Sequence, residues 1–499
     1  MIYKKQETVM NPCNSTTGKQ PGAKRPALDC GRRPKGKDPR TWGVSFFLAV
    51  GSTGPAANNS ILRVFCIYTA LLLAAPVCLA TAQDNMTVED AIRRGLKNNY
   101  NIQIARNTAA ISRNNRGKGT AGFLPSINSD GNFRYDAANE NTGSPTSFGN
   151  TDTRTWSSQL SLSWTLFDGF RMFADKKRYD ELARLGSYQA RNTIETTVVS
   201  IMRSFFNLVQ QEQLLDVARN TRDISATRLQ REEVRRDLGG ASSTDLLNAR
   251  VNFNNDQSAL LDQQLQVTIS RKGLNILLAQ DPAEPVTVKK QITIPSLDYA
   301  YNDLLSRARE QNSALLVARN NKRVADENIR IARSAFWPRV SLNGSYGYRD
   351  RSLFGDSLMP GADRNSRSLD SSVGLVMTFN LFNGNIDTIN LQNAHLDALN
   401  QQLSVKNIEN EIAGLVREKH STFQKRMEKV RLEEQNTVTA RQNMQLQKQR
   451  YETGASDSLD FRDAQVNLAR AETTLIVARY QARIALLEIQ QLIGNIDIQ

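Results

Sequence analysis

The sequence contains the same pattern twice, at a spacing of 213 to 215 residues. The clearest matched segments are FLP at 123–125 with FWP at 336–338, LFDG at 166–169 with LFNG at 381–384, and 244–252 with 459–467. This period is far longer than the roughly 20–50 residues of solenoid and propeller repeats. The chain is therefore predicted to be a duplicated half-structure with internal pseudo-symmetry.

The repeat divides the chain into four segments. We predict a basic, Pro/Gly-rich extension over residues 1–60, a signal peptide over 61–82, a first repeat over 83–298 and a second repeat over 299–499. The apolar run 64–75 is too short to span a membrane, and the small-residue site Ala80-Thr81-Ala82 follows it, as in a secretory signal peptide. Because a signal peptide normally begins a chain, we interpret residues 1–60 as a product of a wrongly assigned start, with translation beginning near residue 61.

Composition narrows the possible functions of the two repeats. All four cysteines precede residue 83, which excludes a disulfide scaffold, a thiolate metal site and a cysteine nucleophile from the repeats. Much of the net charge of +14 lies in the N-terminal segment, and no basic face with stacking aromatics is present, so nucleic-acid binding is not predicted. The repeats contain no nucleophile–base set, phosphate loop or metal-ligand cluster, so we predict neither an enzyme nor a cofactor.

Each repeat is predicted to run helix, strand, strand, long helix, helix. The first repeat has helices at 87–121, 170–237 and 244–279 with strands near 126–166, and the second has helices at 301–335, 385–452 and 459–493 with strands near 340–379. The strands are expected at Ser126–Tyr135, Trp156–Leu166, Val340–Tyr348 and Ser371–Phe379, joined by loops at 137–153 and 350–370. Within the first long helix, Ile194, Val198, Ile201, Phe205 and Leu208 form a heptad seam.

Element lengths indicate where these parts can lie. A helix over 170–237 would be about 100 Å long, which far exceeds the ~30 Å core of a bilayer. The strands are short and alternate apolar with small polar residues, as transmembrane β-strands do. Four strands cannot close a barrel, and an open sheet edge cannot lie in lipid. We therefore expect other copies of the chain to complete the barrel, and three copies would supply 12 strands.

The repeats resemble the TolC-like outer membrane factors, which are the exit ducts of tripartite efflux pumps and type I secretion systems. The resemblance covers residues 84–494 and rests on the doubled junctions and the segments TDLLNARVN at 244–252 and YETGASDSLDFRDAQVNLA at 451–469. It implies a mixed α/β membrane protein of the Gram-negative outer membrane. In this family a homotrimer forms a 12-stranded outer membrane β-barrel continuous with a long periplasmic α-helical barrel.

The resemblance also implies partners and a function. The expected partners are a periplasmic adaptor (membrane fusion protein), an inner-membrane RND or ABC transporter, and outer membrane lipid. The expected function is passive conduction of small molecules or drugs across the periplasm and outer membrane. Two alternatives stay open: an exit duct for type I protein secretion, and a non-conducting structural or adhesive coiled-coil protein, which would have no use for amphipathic strands.

Asp460 and Asp463 match the aspartates that line the pore constriction in this family. Three residues apart on a helix, they share one face, and rings of carboxylates from several copies would favour cations. The alternative is that Asp460 is only a first-turn carboxylate at a helix N-terminus.

Three further groups of candidate residues follow from the resemblance. Thr244, Asp245 and Tyr451 match the network that closes the pore, and Ser456 replaces the arginine that completes this network in some members. Thr244 and Asp245 have capping as their simpler explanation. The adaptor is expected to dock on the hairpin turns containing Gly239, Gly240, Gly454 and Ala455, although glycine suits any helix end. Four aromatic residues flank or lie in the predicted strands, and they could belong to an aromatic belt at the membrane–water interface or serve ordinary packing: Trp156, Trp164, Tyr346 and Tyr348.

Overall fold

The computed structural model of the chain describes residues 85–141, 148–239, 242–297, 299–355 and 364–496. The predicted extension 1–60 and signal peptide 61–82 lie outside the described residues. All described residues belong to one compact unit, residues 80–499. Within this part of the chain, no helix is both long enough and apolar enough to cross a bilayer.

The two repeats have the same order of elements. The first contains α1 (Val88–Asn98), α2 (Tyr100–Asn114), β1 (Ser126–Asn141), β2 (Phe148–Asp168), α3 (Arg171–Asp237) and α4 (Ser243–Leu277). The second contains α5 (Tyr301–Gln311), α6 (Ser313–Arg333), a 3-10 turn (Ser334–Phe336), β3 (Arg339–Gly355), β4 (Arg364–Thr378), α7 (Ile386–Glu452) and α8 (Ser458–Leu492). Both long helices, α3 and α7, have 67 residues, or about 100 Å.

The first helix of each repeat is interrupted, which corrects the prediction of continuous helices over 87–121 and 301–335. Asn99 has extended backbone and its side chain caps α2 by accepting the N–H groups of Asn101 and Ile102, and its Nδ2 donates to the carbonyl of Leu277 at 2.7 Å. Asn312 caps α6 in the same way and donates to the carbonyl of Leu492 at 3.1 Å. In each repeat, an asparagine thus ties the break to the end of the last helix.

The four strands form one antiparallel sheet in the order β1-β2-β3-β4. The strands are longer than predicted, because the β1–β2 ladder continues through Ala137↔Asp152 and the β3–β4 ladder through Leu353↔Arg364. The predicted loops 137–153 and 350–370 are therefore largely strand. The polar composition of these segments suggested loops, but ladder pairing depends on backbone groups rather than on apolar side chains.

The two faces of the sheet differ in polarity. The strand register places one set of mostly apolar side chains together on one face: Ile127, Phe133, Leu160, Leu162, Trp164, Leu342, Tyr346, Val373, Leu375 and Met377. The opposite face carries Asn128, Asp130, Gln159, Ser161, Asn343, Ser345 and Ser372. Side chains on the apolar face are strongly exposed in the single chain, with Val373 at 82% and Ile127 at 70%. Among the described strands, β1 and β4 each pair on one side only.

The apolar core lies in the helical part, and its two largest clusters belong mainly to the first and the second repeat. The first surrounds Ile201, Phe205, Leu274 and Leu278, and the second surrounds Leu304, Leu315, Ile412 and Leu486. The predicted heptad seam of α3 is confirmed, since Val198, Ile201, Phe205 and Leu208 are buried and Ile194 packs against them. The helices therefore pack along narrow seams rather than around one thick core.

Candidate functional site

The ends of the two helical hairpins are shaped by helix-capping turns. Gly454 has φ +78°, its N–H donates to the carbonyl of Tyr451, and the N–H of Ala455 donates to that of Arg450 at 2.8 Å. This is the Schellman pattern, for which a glycine is favoured because it adopts positive φ without strain. Gly239 has φ +76° at the matching end of α3, and Gly240 lies outside the described residues.

Capping also accounts for the start of each returning helix. Ser242, rather than Thr244, is the N-cap of α4: its Oγ accepts the N–H of Asp245 at 3.1 Å and donates to Asp245 Oδ2 at 2.7 Å. Thr244 is exposed. At α8, Asp457 accepts the N–H groups of Leu459 and Asp460.

Asp460 and Asp463 lie on the exposed side of α8, close to the hairpin end. Asp460 Oδ2 accepts a hydrogen bond from Ser456 Oγ at 3.1 Å, and Ser456 also donates to Gln447. The opposite side of the helix is buried through Phe461 and Ala464. Both carboxylates are therefore directed away from the packing face of their own protomer.

Tyr451 connects the second hairpin to the first. Its ring is 5% exposed and stacks on Phe461 with centroids 4.9 Å apart. Its hydroxyl donates to Glu232 of α3, whose side chain is fully buried. Arg231 lies over the ring, 4.6 Å from its centroid, and donates to the carbonyls of Tyr451 and Glu452.

Arg228 adds a further link, donating to Ser458 Oγ at 2.7 Å. It is 3% exposed, and burial lowers the pKa of its guanidinium. Arg228, Arg231, Glu232 and Tyr451 are hereafter called the tyrosine cluster. In this cluster, three α3 side chains hold the end of α7 and the start of α8.

The tyrosine cluster predicts a loosening of the hairpin contact at alkaline pH. Burial raises the pKa of Tyr451 above its ordinary 10.0, and the hydrogen bond to Glu232 raises it further, whereas Arg231 and Arg228 lower it. A raised pKa means that the stabilising neutral form is fully favoured below pH 10 and that its contribution is lost as pH rises. We expect the hydrogen-exchange protection factors of residues 450–462, which correct for the base-catalysed intrinsic rate, to fall above about pH 10 in the native chain.

Tyr451→Phe should remove most of this pH dependence, because its ring stacks as tyrosine does but does not ionise. Tyr480, whose pKa burial also raises, provides a matched control as Tyr480→Phe. An alkaline fall in protection factors that persists in Tyr451→Phe would contradict the assignment to the tyrosine cluster.

A second polar cluster joins the hairpins farther from the turns. Arg462 of α8 makes a two-pronged ion pair with Asp256 of α4, with N–O distances of 2.6 and 2.9 Å, and the side chains are 17% and 11% exposed. Ser225 of α3 donates to Asp256. Gln465 donates to Ser225 at 3.0 Å and to the carbonyl of Thr221 at 2.8 Å. We call this set the arginine cluster.

Within one protomer, the predicted closing residues do not form a single network. Among the contacts of the described residues, Asp245 bonds to Ser242, Tyr451 to Glu232, and Ser456 to Gln447 and Asp460. Apart from Tyr451, the residues that do join the hairpins were absent from the sequence prediction. Their partners lie more than 200 residues away along the chain, so helical spacing does not reveal them.

The candidate belt aromatics lie on the apolar face of the sheet. Trp156 packs edge-on against Tyr348 with centroids 6.2 Å apart, and Tyr346 lies opposite Leu160. Trp164 Nε1 donates to the carbonyl of Phe123 at 3.0 Å. Trp156 and Trp164 are separated by about 27 Å along β2, similar to the ~25 Å apolar band of outer membrane barrels.

The described residues contain no group of three or more His, Cys, Asp or Glu placed to hold a metal ion.

The family model described as outer membrane efflux protein matches residues 91–280 and 304–495, once in each repeat. The chain belongs to this family. Its members are outer membrane channels rather than enzymes, and they work with an adaptor and an inner-membrane pump.

Relatives of the chain include two curated outer membrane proteins. TolC of Vibrio cholerae serotype O1 is 22% identical over 341 residues, which cover 68% of this chain and 74% of that protein. TolC of Escherichia coli K12 is 20% identical over 346 residues, which cover 69% and 70%. This outer membrane efflux protein is thus located in the outer membrane, with a periplasmic extension.

Solved channels share its fold. The Campylobacter jejuni CmeC outer membrane channel aligns with a TM-score of 0.68 at 16% identity, over 82% of this chain and 85% of that one. VceC of Vibrio cholerae aligns with a TM-score of 0.64 at 16% identity, over 82% and 96%. At such low identity the likeness supports the fold alone.

Proposed function

We propose that three copies of this chain form an outer membrane channel that conducts small molecules delivered by an inner-membrane pump and a periplasmic adaptor. The observation that carries this proposal is a four-stranded sheet with one apolar face, one polar face and two unpaired edges. An open edge in lipid leaves backbone groups unsatisfied, whereas three joined sheets make a closed barrel of 12 strands. Small molecules, rather than secreted proteins, are the cargo in this proposal, in keeping with the word efflux in the family description.

The proposed constriction consists of Asp460 and Asp463. Their exposure, beside the buried Phe461 and Ala464, supports a position facing the pore. Carboxylate rings from three copies would select cations and bind multivalent cations as blockers. In this proposal the tyrosine and arginine clusters hold the hairpins together in the closed channel.

The proposed adaptor sites are the hairpin turns at Gly239-Gly240 and Gly454-Ala455. Leu238 beside the first turn is 81% exposed, and Thr453 to Ala455 are exposed at the second. An exposed leucine at a helix end offers apolar surface, and burying that surface against a partner would be favourable. Thr244, Asp245 and Ser456 lie close to these turns in the sequence and are proposed to act in contacts between copies.

Introduced cysteines test the assembly directly, because natural cysteines are absent from both repeats. A Ser129→Cys, Ser371→Cys protein carries one thiol on each edge strand, β1 and β4. A flexible dimaleimide is expected to yield covalent trimers, and the purified protein should conduct in planar bilayers. Single-cysteine proteins are the matched controls and should yield no covalent trimer. Absence of conductance would favour a structural coiled-coil protein, and products that end at dimers would contradict the trimer.

A test of cargo uses a strain that lacks the chain. Restoring the chain is expected to lower the accumulation of a fluorescent dye several-fold, and Arg470→Met, an exposed change on α8, should complement equally. Restored secretion of a protein with unchanged dye accumulation would contradict the small-molecule assignment.

A further inference from the structure

A cavity of about 340 Å³ lies where α3 and α6 meet the sheet. Its side-chain lining combines aromatic rings with cations: Phe170, Phe173, Lys177, Arg330, Arg333 and Trp337. We call this cavity the junction pocket. Neither the proposed gate nor the proposed docking turns involve it.

The sequence places the rings and the cations in a regular order. At the start of α3, Phe170, Phe173 and Lys177 are spaced by three and four residues. Arg330, Arg333 and Trp337 have the same spacing between the end of α6 and β3. Phe173 and Lys177 share one face of α3, and Arg330 and Arg333 share one face of α6. Phe170 is the N-cap of α3 and Trp337 follows the 3-10 turn, so both lie at the ends of these helices next to the sheet. Each segment therefore presents aromatic groups next to the sheet and cations farther along the helix.

The rings continue the apolar face of the sheet. Phe167 pairs with Val340, which is on the same face as Leu342 and Trp164. The Phe167 ring lies edge-on to Phe170 at 5.2 Å, and Phe170 lies edge-on to Trp337 at 6.0 Å. Since the apolar face of a transmembrane sheet contacts lipid, the pocket opens on the lipid side, at the level where the helices begin.

The cations of the junction pocket are only partly neutralised. Among the described residues, the side chains of Lys177 and Arg333 have no ion pair or hydrogen bond, and Arg330 pairs with Glu327. In a neighbouring basic groove between α2 and α3, Arg116 and Lys176 both pair with Asp180 and Arg184 pairs with Glu181, which leaves Arg113 as the one lining cation without an ion pair among the described residues. The junction pocket therefore has positive charge available for an anion.

The fold does not require this combination, since the positions related to it by the internal duplication, three in each repeat, lack it. Positions matching Phe170, Phe173 and Lys177 hold Asn385, Thr388 and Gln392, and those matching Arg330, Arg333 and Trp337 hold Gly117, Thr120 and Leu124. Phe170 has φ +68° where Asn385 has φ +64°. Asparagine tolerates positive φ, whereas a bulky aromatic residue does so at a cost.

Gly169 brings the two sides of the pocket close together. A Cβ added at Gly169 would lie 2.4 Å from the carbonyl oxygen of Ser334 and 2.7 Å from Trp337 Cβ. At the matching Gly384, nothing lies within 4 Å. Within the single chain the close approach occurs at Gly169, between the central strands β2 and β3, and not at Gly384, which follows the edge strand β4.

We propose that the junction pocket binds an anionic phospholipid of the periplasmic leaflet. Lys177 and Arg333, with Arg330, hold the headgroup phosphate, and the acyl chain packs on Phe170, Phe173 and Trp337. The order of the groups fits a lipid, whose charge lies next to its apolar chain, better than a free anion. α3 and α6 lie between α2 and α7, and β2 and β3 are the central strands. Pairing of copies through β1 and β4 thus leaves the pocket open.

Native mass spectrometry of the full chain in detergent tests this proposal. Dioleoylphosphatidylglycerol is the anionic probe, and dioleoylphosphatidylcholine is the zwitterionic comparison. We expect the native protein to prefer the anionic lipid by about tenfold, because cations near a membrane surface attract anionic headgroups. Lys177→Gln with Arg333→Thr, which introduces the residues of the duplicated positions Gln392 and Thr120, should abolish that preference. A preference that survives this change would overturn the proposal.

Arg116→Gln with Lys176→Gln is the matched control, because it removes two cations from the neighbouring groove. The control should keep the anionic preference, and an equal loss there would indicate unspecific charge attraction and overturn the assignment. Millimolar glycerol 3-phosphate should displace little lipid, whereas full displacement would identify a site for free phosphate instead.

A third variant addresses the aromatic half of the pocket. Phe170→Asn introduces the residue found at the matching position, Asn385, and relieves the backbone strain of a positive φ at an aromatic residue. The thermal midpoint of this variant should therefore equal or exceed that of the native protein. Its retention of the anionic lipid should nevertheless fall several-fold, because the central ring is lost. Unchanged retention would remove the acyl chain from the proposed site.

Discussion

Replacing both Asp460 and Asp463 with alanine is expected to weaken block of the channel by a trivalent cation about 100-fold. Both side chains are exposed on the side of α8 opposite the buried Phe461 and Ala464. Three copies place up to six carboxylates around one pore. A unit charge about 4 Å from a carboxylate gains about 1 kcal/mol even in water and a trivalent ion about three times as much, so losing one such contact accounts for this factor. The measurement is the half-blocking concentration in a planar bilayer.

Asp397→Ala is the matched control, since Asp397 is an exposed aspartate on α7 about 80 Å from the hairpin end. Its removal should leave the block unchanged. If the first-turn role of Asp460 is its only one, the double replacement would cost a few tenths to 1 kcal/mol of helix stability and leave the block as it was. That result would withdraw the constriction from these two residues.

The periodicity of apolar residues in the sequence predicted the strands and the buried seam of α3. Alternation identified all four strands, and the heptad spacing from Val198 to Leu208 identified the buried seam of α3. The duplication was visible because each junction motif recurs in the same order. These features depend on which face of an element is buried, and a period of 2 or 3.5 residues reveals that directly.

Breaks and links between distant segments were not predictable in this way. Asn99 and Asn312 interrupt helices because their side chains bond to carbonyls 178 and 180 residues away. Nothing in the local helix propensity requires a break there. The strands were predicted too short where each pair meets its connecting loop. A polar, glycine-containing segment has the composition of a loop even where its backbone pairs as a ladder.

In the candidate site, too, residues marked by a local pattern were predicted and residues marked by long-range packing were not. Asp460 and Asp463 were found because they share a helix face, which is a local property. Arg228 and Glu232 are also four residues apart, and this spacing suggests an ordinary surface ion pair. Both are instead buried against the second hairpin. Only the packing of α3 on α8 distinguishes the two cases.

Arg462→Met is expected to favour the open channel by roughly 2 kcal/mol, or about 30-fold in the closed-to-open ratio. The pair with Asp256 joins α8 to α4, and both side chains are more than 80% shielded from solvent. Removing one partner leaves a poorly solvated charge, which costs several kcal/mol in a fully buried pair and less here because Ser225 still donates to Asp256. Separation of the hairpins exposes Asp256 to water, so the open state avoids this cost. The measurement is the open probability in a planar bilayer.

Arg470→Met is the matched control, because it makes the same change at an exposed position of α8 eight residues farther along. It should leave the open probability unchanged. The decisive variant combines Arg462→Met with Asp256→Leu. An apolar pair of similar volume removes the stranded charge and is often as stable as the ion pair that it replaces. If the arginine cluster holds the hairpins closed, this double variant regains most of the closed state. A double variant as open as Arg462→Met alone would mean that loss of the arginine, and not the stranded Asp256 charge, opens the channel.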